Sequence, residues 1–120
     1  MLPLEKQVCD LEYSKKLQEL EVKQESLFCW SVDSPVSMTP CVVRTEYASS
    51  IHGKGVECSA FTVAELGDML PDHIGTQQED WGWALYVKGM LRPEFNAETE
   101  ANARASMLCY LLENRLIPAV

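Results

Sequence analysis

Cys41, His52, Cys58 and His73 succeed one another as Cys-x10-His-x5-Cys-x14-His, four residue types that can ligate zinc. Structural zinc sites hold their ligands in close pairs, because two ligands from one tight turn lower the entropy of closing the site. No close pair exists here, and alternating apolar neighbours account for Cys41 and Cys58 as sheet residues, so no metal is expected. A thiol enzyme needs a thiolate activated by a neighbouring base at an exposed position. The five cysteines, at 9, 29, 41, 58 and 109, are irregularly spaced. Cys29 stands between Phe28 and Trp30, and Cys109 between Leu108 and Tyr110, where free cysteine behaves as a small buried hydrophobe. His52-Gly53-Lys54-Gly55 lacks the glycine spacing and the following hydroxyl of a phosphate loop and reads as a hairpin turn. Asp68, Asp72, Glu79 and Asp80 do not follow the alternate-ligand spacing of a calcium loop. With no catalytic constellation left, the expectation is a non-enzymatic chain that uses no cofactor.

Charge is the more informative signal. The formal charge is -8, and residues 61–90 carry half of it, from Glu65, Asp68, Asp72, Glu79 and Asp80 against Lys88 alone. Such a surface repels phosphate and slows encounter with nucleic acid. It is either simple solvation or an acidic patch that attracts a basic partner or imitates the charge of DNA. Asp68, Asp72, Glu79 and Asp80, with Trp81 exposed at the start of a strand, are the candidate partner-binding residues, and the partner is a protein whose identity the sequence leaves open. The alternative is a DNA-binding adaptor. Leu17-Gln18-Glu19-Leu20, Val22 and Lys23-Gln24-Glu25-Ser26 are similar to the first helix and turn of a helix-turn-helix. Against it, Glu21 occupies the place where that turn wants glycine, Leu27 to Val32 looks like strand, and only Lys15, Lys16 and Lys23 are placed to meet phosphates. No apolar run approaches the roughly eighteen residues that span a bilayer. An odd cysteine count behind an N-terminus without a signal segment leads to the expectation of reduced thiols in the cytoplasm.

The elements that must position these residues are legible from periodicity. A chain of 120 residues, 47% hydrophobic, is the size of one domain, 1–120. Asp10 to Val22 has a helical face of Tyr13, Leu17 and Leu20. Leu27–Val32 and Cys41–Ala48 alternate as strands and pair as a hairpin across Ser34-Pro35 and Thr39-Pro40, with Val56, Cys58 and Ala60 returning as a short third strand. Phe61-Thr62-Val63-Ala64-Glu65-Leu66 spells a capping box with a hydrophobic staple, in a helix that Pro71 ends. Gly75 to Asp80 reads as a polar loop, and Trp81 to Lys88 as the strongest strand. Glu98 to Ile117 is a helix with Ala101, Ala105, Leu108 and Leu112 on one face, capped by Asn96 or Thr99 and stopped at Asn114. The expected fold class is α+β: a three- to four-stranded, mainly antiparallel sheet packed against the N-terminal and C-terminal helices. Its expected core contains Trp30, Val43, Leu85, Val87, Leu108 and Leu112.

Three segments, Leu11 to Trp30, Phe61 to Pro71 and Thr99 to Ile117, together resemble a group of small proteins encoded in bacteriophage and prophage regions. The shared motifs are caps and helix faces. The resemblance therefore implies a phage-derived cytoplasmic protein without assigned chemistry and transfers no catalytic residue; joined to the charge asymmetry, it leads to the expectation of a non-enzymatic phage accessory protein that binds another protein.

Overall fold

The structure, a computed structural model, describes residues 3–32, 40–45 and 56–118. Two short helices, α1 (Leu4–Gln7) and α2 (Leu11–Glu19), precede strands β1 (Phe28–Val32), β2 (Pro40–Arg44) and β3 (Val56–Ser59). Helix α3 (Val63–Met69) leads to β4 (Ile74–Glu79), β5 (Gly82–Val87) and β6 (Met90–Leu91), and a single 3-10 turn, Pro93–Phe95, precedes α4 (Glu100–Glu113). The class is α+β with antiparallel pairing, as expected, and the strands divide into two three-stranded sheets ordered β2-β1-β3 and β4-β5-β6. The division falls at α3, because a capped helix inserted after β3 ends one ladder before the next begins. The proposed reversal at His52–Gly55 and the end of the second strand beyond Thr45 lie outside the described residues.

Residues 75–79 of the expected loop are strand, and only Asp80 lies in a turn. Ile74 to Glu79 pairs residue for residue with Val87 to Gly82, so the hairpin ladder overrides the polar composition that reads as a loop. Trp81 accordingly sits in the turn, and β5 begins at Gly82. The β5–β6 reversal is a two-residue turn at Lys88 and Gly89, both with positive φ (52° and 80°), the handedness that matches strand twist.

Helix α4 is the centre of the larger core. Ala101, Ala103, Ala105, Met107, Leu108, Cys109 and Leu111 are buried, together with Leu17, Leu66, Leu85 and Phe95 from the surrounding elements. Alanines at the start let α3 and the second sheet approach closely, and larger side chains fill the space further on. Burial on several sides changes the expected core: Leu111 is buried while Leu112, named from a one-sided stripe, is only half-buried. Val87 is half-buried too, since it lies next to the exposed β5–β6 turn. In the first sheet Trp30 faces Val42, and Cys29 faces Val43, so Val42 joins the core and Val43 does not. A one-residue change of register exchanges the faces of a strand. Trp30, Val42, Cys58, Val8 and Ala60 form the smaller cluster, where the Trp30 indole N–H donates to the Cys9 carbonyl at 3.1 Å.

Local signals at the helix ends are realised. Thr62 accepts from the Glu65 amide (3.2 Å), and Glu65 accepts from the Thr62 amide (2.9 Å), completing the capping box. The same carboxylate receives the Ser26 hydroxyl (2.7 Å) and the Leu27 amide (3.1 Å), tying α3 to the chain that enters β1, the central strand of the first sheet. Thr99 caps α4, whereas Asn96 uses its side-chain oxygen to accept the Leu85 amide. Helices α2 and α4 both end with the amide pattern of a Schellman motif, Val22 to Leu17 and Leu116 to Leu111. The left-handed residue is Glu21 (φ 68°) in one and Arg115 (φ 54°) in the other; Asn114, the expected stop, is the residue before it.

Candidate functional site

The β4–β5 turn builds the most distinctive surface. Regular pairing up to Glu79 and Gly82 leaves a two-residue reversal, which places Asp80 and Trp81 at the tip. Gly82 has φ 151°, and a Cβ there would lie 2.6 Å from the Ala97 carbonyl oxygen and 3.0 Å from the Cα of Glu98. Glycine thus lets the chain before α4 press against the turn. Trp83 and Ala97 exchange two backbone hydrogen bonds, at 2.8 and 3.1 Å, which fix the contact. Glu98 is thereby brought beside Glu79 and Asp80, although it lies eighteen or more residues away along the chain.

The result is a cavity of about 340 Å³ lined by Glu79, Asp80, Trp81, Trp83 and Glu98, with Gln78 and Thr99 at its margins. None of its lining residues is basic. Trp81 is 56% exposed, unusual for the largest apolar side chain. Carboxylates that share a cavity with an exposed indole attract a cation: charge meets charge, and the ring quadrupole adds roughly 0.5–1 kcal/mol at an exposed site. Such a site suits a lysine or arginine side chain.

The five sequence-derived candidates do not form one patch. Glu79, Asp80 and Trp81 converge, whereas Asp68 lies on α3 and Asp72 follows it, before β4 begins. The six residues of β4 span about 17 Å and separate Asp72 from Glu79. Asp68 instead lines a cavity of about 280 Å³ with Lys23 and Glu65. Glu98 and Trp83 are the additions that structure makes. Trp83 reads as core by alternation, and its half-exposed position at the cavity wall depends on the contact at Ala97, which no local pattern announces. A larger cavity, about 720 Å³ between the C-terminal ends of α2 and α4, has Arg115 among Glu19, Glu21 and Glu113. Its charge is partly compensated internally, since Glu113 also pairs with Lys16.

The residues weighed for metal and thiol chemistry are placed apart. Cys41 pairs across from Ser31 and Cys58 from Trp30, so their side chains project from opposite faces of the first sheet. His73 lies in the turn before β4, and His52 is outside the described residues. Among the described residues no group of three or more His, Cys, Asp or Glu side chains is placed to hold a metal. The five cysteines, all among the described residues, form no disulfide. Burial raises the thiols of Cys9, Cys29 and Cys109 above their ordinary range, Cys109 to about 12. Cys9 is also 3.2 Å from the Ser14 hydroxyl. All three are protonated near neutral pH and so are poor nucleophiles. No helix among the described residues is long and apolar enough to cross a membrane.

Comparison of the chain with protein-family models, with curated proteins and with solved structures returns no match.

Proposed function

We propose that this chain is a non-enzymatic accessory protein that binds another protein through the acidic, tryptophan-bearing end of the β4–β5 hairpin. The carrying observation is the cavity itself: three carboxylates, an exposed indole and no cationic lining residue, held in place by the Gly82–Ala97 contact. The partner accordingly presents lysine or arginine. Its phage or prophage origin, implied by the resemblance of residues 11–30, 61–71 and 99–117, and its cytoplasmic location belong to the same proposal. The DNA-binding alternative has less support, because α2 is followed by an irregular segment and then β1, and Lys16 is engaged by Glu113.

Titration of a lysine-rich peptide against the chain at physiological salt, followed by calorimetry, tests the reading. Trp81→Ala should weaken binding by about fivefold, the equivalent of roughly 1 kcal/mol of lost indole contact. Unchanged affinity in that variant would remove the proposed site.

A further inference from the structure

We infer that the edge of β4 left unpaired by the described residues receives an extended, basic segment of the partner as an added strand; this deepens the protein-binding reading above and rests on it. Backbone direction carries the argument. On β5, Trp83 exchanges bonds with Ala97, the Leu85 carbonyl accepts the Arg92 amide, and the Leu85 amide goes to Asn96. The odd-numbered residues of β5 therefore turn their backbone groups away from β4. In an antiparallel ladder the residues opposite them do the same on the other side. Thr76 faces Leu85 and Gln78 faces Trp83. The N–H and C=O groups of Thr76 and Gln78 consequently point outward from the sheet, and no described residue accepts from or donates to them.

Natural sheets protect such edges with proline, lysine, bulges or very short strands. The other edges here show these devices: β2 begins at Pro40, β6 has two residues, and the pairing of β3 with β1 is broken between Trp30 and Ser31. β4 has six residues, regular register, no proline and no lysine. Gly75 and Gln77 are exposed on its outer face, and a Cβ on Gly75 would meet nothing within 4 Å.

Charge selects the occupant. The edge runs directly into Glu79 and Asp80, so a strand laid along it meets their carboxylates at the turn, while Glu98 stands with Ala97 on the far side of β5. A second copy of this chain fits less well. Self-pairing joins two bodies of net charge -8, and the antiparallel register centred on Thr76 sets Asp72 against Asp80 of the other copy. Main-chain bonds to Thr76 and Gln78 supply affinity, and the carboxylates choose a basic sequence, the division of labour in strand addition.

The test uses two synthetic peptides of equal charge, one alternating lysine with valine and one repeating lysine followed by two prolines. The first can form a strand, and the second lacks most inward amide donors in either register. Amide exchange is followed by NMR on the unmodified chain. The inference expects the lysine–valine peptide to protect the Thr76 and Gln78 amides and to bind about tenfold more tightly than its proline counterpart. Gln78→Pro, tolerated where the N–H faces solvent, should abolish that preference. Equal binding of both peptides with unprotected Thr76 and Gln78 amides would overturn the strand addition while leaving the acidic site standing. No binding of either peptide at low salt would overturn both. Concentration-dependent protection of these amides in the chain alone would assign the edge to a second copy and refute the basic occupant.

Discussion

Glu65 is the side chain whose removal should tell most about how the halves of the structure are joined. Its carboxylate accepts three hydrogen bonds: one from its own helix start at Thr62 and two from the chain entering β1, at Ser26 and Leu27. Bonds to charged acceptors contribute about 1.5–3 kcal/mol each when fully buried. Glu65 is half-buried and the Leu27 bond is exposed, so only the Thr62 and Ser26 bonds are counted, each at the lower end of that range, and about 3 kcal/mol is expected for Glu65→Ala. Thr62→Ala removes only the acceptor for the Glu65 amide and should cost about 1 kcal/mol. Urea unfolding followed by far-ultraviolet circular dichroism, with the thiols kept reduced, measures both on one scale, and an unchanged slope would show that the unfolded state is not the cause. Glu65→Gln keeps one acceptor oxygen and should fall between them. If Glu65→Ala lost no more than Thr62→Ala, the bonds to Ser26 and Leu27 would carry nothing, and the tie between α3 and the first sheet would have to come from packing alone.

Three further outcomes follow from the same geometry. Glu21→Gly should stabilise the chain by about 1 kcal/mol in the same assay, because a left-handed φ of 68° strains a residue with a Cβ at the end of α2. Gly82→Ala should destabilise it by about 1–3 kcal/mol by forcing the turn away from Ala97, whereas Gly75→Ala, with open space around it, should stay within roughly 0.5 kcal/mol. Cys109, raised by burial from an ordinary value of 9.0 to about 12, favours the folded state while it is protonated; stability should be flat below pH 9 and fall as the pH rises toward 12, with Cys109→Ala showing a shallower decline in urea titrations across that range.

How much of this could be read from residues depends on how far apart the interacting groups lie. The Thr62–Glu65 box and its staple were legible because the partners are three and five residues apart and the chemistry of an N-terminus is local. Trp81 was legible as an exposed side chain from its place beside Asp80. β4 was not, because Gly75, Gln77 and Gln78 face solvent and their strand conformation is imposed by β5. The exchange of Val43 for Val42 in the core came from register across the hairpin, which alternation within one strand leaves undetermined. The site shows the same limit: Glu79, Asp80 and Trp81 are adjacent and readable, while Glu98 joins them only through Gly82 and Ala97. Asp68 and Asp72 share their charge with that group but not their position.

That difference in position gives the most direct measurement. Glu79→Gln with Asp80→Asn, and Asp68→Asn with Asp72→Asn, remove the same charge from opposite ends of β4, and at physiological ionic strength the separation of about 17 Å between Asp72 and Glu79 exceeds the screening length of about 8 Å. Calorimetric affinity for a lysine-rich peptide should fall about tenfold in the first pair and by less than about twofold in the second. Equal losses in the two pairs would mean that the chain attracts cations by net charge alone, and the cavity at the β4–β5 turn would not be a binding site.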